Sequence, residues 1–155
     1  MGMDLCNKAG DYFRFSSVAW FKVMSLAESY GWKAQGTASP DNWQERCREN
    51  CHGLLWDGDY RSNAGQWVTA DDASAIAIAL EKALPDIPDC LMPSTLVEAP
   101  LEDDISAFIA RLLGDGARMI VQNEVLSPYE YFGGEAKDKV RGFIKYCHRG
   151  EFAIY

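Results

Sequence analysis

The chain has 155 residues, a formal net charge of −8, 48% hydrophobic residues and 25% charged residues. These are ordinary values for one globular domain, residues 1–155, and they exclude disordered and fibrous classes. The surplus of acid also argues against nucleic acid as a partner, because phosphate binding rests on surplus Lys and Arg.

The opening MGMDLCNKAGDYF has no basic n-region followed by an apolar h-region, so no secretory leader is expected. A myristoylation start is not expected either, since Cys6 stands where that motif needs Ser or Thr. The longest apolar run, Ala75 to Leu80, falls far short of the roughly 18 residues of a membrane span. Five cysteines without an export signal suit reduced thiols in a cytoplasmic protein.

Residues before Ser16 read as a short polar lead. Ser16-Ser17 can cap a helix running to about Tyr30, with Trp20, Val23, Met24, Ala27 and Tyr30 as its buried stripe. Lys22, Ser25, Glu28 and Ser29 are left for solvent, and Gly31 suits the left-handed position after the helix. Gly31 to Pro40 is a turn-rich linker, and Asp41 to Asn50 a polar helix. In Gly53 to Val68, the turn signals Asp57-Gly58 and Asn63-Ala64-Gly65 predict an ordered loop or small hairpin.

Thr69 to Leu84 is the expected centre of the molecule. Thr69 can accept the amide of Asp72, Asp72 can reach back, and Asp71 and Asp72 complement the helix dipole. Ala73, Ile76, Ala77, Leu80 and Leu84 share one face, while Ala75, Ile78 and Ala79 lie largely off it. A helix apolar most of the way round is normally covered on several sides.

Pro85, Pro88 and Pro93 end that helix. Another is expected from Pro100 to about Gly114, with Leu101, Ile105, Phe108, Ile109 and Leu112 at helical spacing. Ala117 to Leu126 reads as buried and helical, and PYEYF as an aromatic turn. A last helix is predicted from Glu135 to Arg149, with Ala136, Val140, Phe143, Ile144 and Cys147 inward, followed by a docked, extended tail, EFAIY. The expected fold class is therefore mainly α: a single-domain helical bundle around the central helix at about 69–84. A short hairpin or loop at about 54–68 and the extended tail complete it.

Thiolate and imidazole are preferred zinc ligands, which makes Cys47, Cys51, His52, Cys147 and His148 a candidate metal set. Against it, Cys147-His148 is a bare pair without the short paired spacing of structural zinc sites. Asp57, Asp59 and Asn63 do not make an EF-hand loop, because Arg61, Ser62 and Val68 occupy required positions. No GxSxG elbow, phosphate-binding loop or marked carboxylate pair is present, and no cofactor is implied.

Trp43, Trp56 and Trp67 lie in or near the approach to the central helix. Aromatics mixed with polar groups on loops are the usual makings of a recognition surface. The candidate binding residues are Trp56, Asp57, Asp59, Tyr60, Arg61, Asn63 and Gln66. The segments YGWKAQGT, WDGDYRSNAGQWVTADDASAIAIALEKALPDIPD and VRGFIKYCHRGEFAIY resemble a group of small bacterial proteins in which these pieces recur in this order. The resemblance covers about half the chain, brings no activity with it, and implies a bacterial cytoplasmic protein. The expected function is non-catalytic binding of a basic protein partner or a small ligand, as in an acidic inhibitor or immunity-type protein. The alternative is a zinc-binding module or metal-dependent enzyme using the Cys and His residues.

Overall fold

A computed structural model describes residues 2–50, 55–90 and 126–155. The expected helices at about 100–114 and 117–126 lie almost wholly outside the described residues. What is described is not a helical bundle. Five α-helices pack with a four-stranded antiparallel sheet, an α+β arrangement.

The strands are β1 (Gly2–Asn7), β2 (Tyr12–Ser16), β3 (Gln66–Val68) and β4 (Phe152–Ile154). The helices are α1 (Ser17–Ser29), α2 (Trp43–Asn50), α3 (Ala70–Ala83), α4 (Pro128–Tyr131) and α5 (Ala136–Cys147). A 3₁₀ turn at Leu84–Asp86 follows α3.

The expected polar lead is in fact a β-hairpin. Gly10, at φ 85°, turns the chain between β1 and β2. Met3 pairs with Phe15 and Leu5 with Phe13, so the apolar residues of both strands share one face, as the two-residue period requires. The tail becomes β4, an interior strand bonded to β1 on one side and β3 on the other. The pairings Leu5 with Ile154, Asn7 with Phe152 and Val68 with Phe152 continue the inner face across the sheet. Its opposite face is polar at its β2 side, where Arg14 meets Asp4 at 3.4 Å, and carries Trp67 under the Lys8 ammonium.

On the inner face an aromatic cluster joins the layers. Phe143 of α5 meets Phe15 edge-on at 5.0 Å, Trp20 at 5.9 Å and Phe152 at 6.2 Å. Gly142 leaves room for Phe13, whose ring a Cβ there would approach to 3.3 Å. α3 packs between α1 and α5, and Ala73, Ile76, Ala77, Ala79, Leu80 and Ala83 are buried. One flank stays open to solvent, where Ile78 is 46% exposed. The alanine-rich face that looked like a bundle axis is the seam between neighbouring helices.

Caps form where the sequence placed them. Ser16 accepts the amide of Ala19 at 3.2 Å, and Gly31, at φ 96°, ends α1. The aromatic turn PYEYF contains a short helix, because Ser127 and Glu130 complete a capping box. Lys137 is buried, yet its ammonium reaches the carbonyl of Ile87 and the carboxylate of Asp89, both at 2.7 Å.

Because Phe152 joins the interior strand to the aromatic cluster, Phe152→Ala should cost about 3–5 kcal/mol in urea unfolding. A loss below about 1 kcal/mol would mean that the tail is not part of the cooperative core.

Candidate functional site

The site is built by two segments that brace one another, the linker after α1 and the loop before β3. At the linker's start, the amide of Trp32 bonds the carbonyl of Ala27 at 3.0 Å, which turns the indole inward. Further on, Gly36 and Gly58 meet back to back with φ of 92° and 78°. A Cβ on Gly58 would lie 3.1 Å from the Gly36 Cα, so this approach depends on glycine. Thr37 fastens the crossing: its amide donates to Gly58 O at 3.0 Å and its hydroxyl to Asp59 O at 2.7 Å. The indole of Trp56 donates to Thr37 O at 2.9 Å.

Asp72 anchors both segments to α3. It is 0% exposed, and one carboxylate oxygen accepts Trp32 Nε1 at 2.8 Å while the other accepts the Tyr60 hydroxyl at 2.5 Å. The expected cap is half present: Thr69 accepts the amide of Asp72 at 3.3 Å. The Asp72 side chain does not complete that box but turns to the two aromatic donors. Burial, followed by the hydrogen bond to Asp72, pushes the Tyr60 hydroxyl well above the ordinary phenol value, so it stays protonated and donates. The same hydroxyl accepts the amide of Gly36 at 3.0 Å. Trp20 Nε1 donates to Tyr60 O at 2.8 Å, which ties the loop to the aromatic core.

Several residues singled out from the sequence serve this framework. Both carboxylate oxygens of Asp59 accept backbone amides, from Arg61 at 2.8 Å and Ser62 at 2.7 Å. Asp57 accepts the amide of Asp59 at 3.1 Å. These are the turn-forming bonds that Asp makes with its own backbone. Gln66 is fully buried; its amide nitrogen donates to the carbonyls of Ser62 and Asp59, and its oxygen accepts Ala64 N at 3.0 Å. Asn63 is exposed.

Between this framework and α1 lies a cleft of about 890 Å³. Phe21, Met24, Ser25 and Glu28 of α1 form one wall, and Gln35, Gly36 and residues 57–61 the other, with Trp20 and Trp32 also lining it. Four sequence-predicted residues, Asp57, Asp59, Tyr60 and Arg61, therefore share one cavity, whereas Trp56, Asn63 and Gln66 do not line it. Sequence reasoning missed the α1 wall. The available signal was Phe21, an aromatic residue on the polar side of α1, in line with Ser25 and Glu28 at i, i+4 and i+7. The guanidinium of Arg61 rests over the Phe21 ring, 5.9 Å from its centroid.

The candidate metal set is only partly described. Cys51, His52 and the side chain of Cys47 lie outside the described residues. Cys147 is 1% exposed, and burial holds its thiol well above the ordinary value of 9.0. His148 is exposed and meets Glu81 at 2.8 Å. Among the described residues no three His, Cys, Asp or Glu side chains gather as a metal site. No helix among them is long and apolar enough to cross a membrane.

Comparison with protein-family models, with curated proteins and with solved structures finds no match.

Tyr60→Phe and Trp32→Phe should each destabilise by about 1–3 kcal/mol, since each leaves the buried Asp72 short of a donor. Their double-mutant cycle in urea should show coupling of at least about 0.5 kcal/mol, and strict additivity would dismiss the shared network.

A second check concerns alkaline pH. The Cys147 thiol is raised in the folded state, so its stabilising effect is complete below the unfolded thiol value and fades as pH rises beyond it. Stability should fall above about pH 9, by at most about 1.4 kcal/mol per pH unit from this group. The fall should be shallower in Cys147→Ala, and equal slopes in urea titrations of the two proteins would contradict the assignment.

Proposed function

We propose that this protein is a non-catalytic binding protein that covers a basic protein partner through the cleft between α1 and residues 57–61, in the manner of an acidic inhibitor or immunity-type protein. The observation that carries this reading is the cleft itself, with Glu28, Asp57 and Asp59 lining it on a chain of net charge −8. Complementary charge steers encounter and selects partners. Its loop wall is held by internal hydrogen bonds before any partner arrives, which lowers the ordering cost of association. Tyr60 donates to Asp72, and Asp59 accepts two amides of its own loop, so both side chains are fixed in the framework while the Asp59 carboxylate keeps its charge toward the cleft.

A photoreactive residue placed at position 57 in the cleft, and in a second protein at position 14 on the far face of the sheet, tests this in native cells. Position 57 should yield a discrete adduct with a basic protein, absent from position 14, and the adduct should fail to form when a lysate of the same cells is irradiated in about 0.5 M salt, where surface charge is screened. Identical adducts from both positions, an acidic partner, or no adduct at all would count against the reading.

A further inference from the structure

Two independent features of the cleft bear on what enters it. The first is its own guanidinium. Arg61 lies with its charged end over the face of Phe21, the arrangement by which an aromatic ring attracts a cation. Phe21 is 45% exposed, so its ring is open to a competitor. The second is an imbalance of charge: Glu28, Asp57 and Asp59 line the same cavity with Arg61 as its one cation among the described residues. None of these carboxylates forms an ion pair among the described residues. Asp59 still has lone pairs beyond the two amides it accepts, and Asp57 accepts one. The dimensions suit an extended segment, since Phe21 and Glu28 are seven residues apart on α1, about 10 Å along the axis.

We infer that the cleft receives an arginine side chain from an extended, basic segment of the partner, its guanidinium taking the place over Phe21 that Arg61 holds in the free protein. This rests on the cleft being the binding surface and names the group it reads. Arginine fits better than lysine because a planar guanidinium both stacks on a ring and bonds carboxylate oxygens in its plane. Arg61 is then an internal stand-in that lowers affinity for weakly matched cations and swings aside for the right one.

The probe is the tripeptide acetyl-Gly-Arg-Gly-amide, titrated into the full chain while the indole N–H signals of Trp20 and Trp32 are followed by NMR. Its control contains citrulline, the neutral isostere of arginine. The arginine peptide should shift both signals saturably, and the citrulline peptide should bind at least about fivefold more weakly. Phe21→Ala and Glu28→Gln should each weaken the arginine peptide roughly two- to fivefold. Arg61→Ala should tighten it by a similar factor, a gain that a merely damaged fold cannot produce. Equal binding of the two peptides, no saturable shift, or weaker binding by Arg61→Ala would overturn the inference. If the peptides fail while position 57 still cross-links a basic protein, the cleft remains the binding surface and only the arginine is wrong.

Discussion

A single buried carboxylate holds the described part of the molecule in register. Asp72 sits in the first turn of α3, fully out of water, and no cation among the described residues pairs with it. A buried charge is costly unless hydrogen bonds replace its water. Here the positive end of the helix and two aromatic donors, Trp32 and Tyr60, supply the replacement. Each donor lies on a different segment, so the need to solvate one side chain locks linker, loop and helix together. Bonds to a charged acceptor are worth about 1.5–3 kcal/mol each, more than a neutral turn contact.

The rest of the framework passes that constraint outward. Trp20 packs against Phe15 at 5.9 Å and against Phe143 at the same separation, while its N–H reaches across to Tyr60 O. The aromatic core thus sets where α1 stands relative to the loop. Once α1 is placed, Phe21, Ser25 and Glu28 must face residues 57–61, and the gap left between them is the cleft. The sheet contributes by closing the fold at long range, with β4 pairing Leu5 to Ile154. Ala153, on the outer face, is also 0% exposed, a small residue set between Cys6 and Trp67 of the flanking strands.

This division of labour leaves the cleft built but chemically uncommitted. The loop spends its polar groups on itself: Asp59 on its own amides, Gln66 on the turn that precedes it, Thr37 on the glycine crossing. What remains accessible is Phe21, Glu28, Asp57 and the outer part of Arg61. An aromatic face, carboxylates and one movable cation make a surface that discriminates by charge and shape.

What was legible in the sequence was local. Ser16 and Thr69 as caps, Gly31 as a helix stop, the apolar faces of α1, α3 and α5, and the turn at Asp57-Gly58 involve residues within a few positions of one another. Backbone geometry and nearest neighbours settle such features. The N-terminal hairpin was harder, because Met3, Leu5, Phe13 and Phe15 alternate over stretches too short and too mixed with charge to stand out. The sheet order, the promotion of the tail to an interior strand, and the meeting of Trp32, Tyr60 and Asp72 were decided only in three dimensions. They depend on pairings between residues 12 to nearly 150 positions apart, and no local preference encodes which strand edge or which buried donor a residue will find. Thr69 to Ala83 shows both sides: its sequence determined that it is a capped helix with one long apolar face, and only the packed structure decided that the carboxylate at its start would serve the loop instead of its own cap.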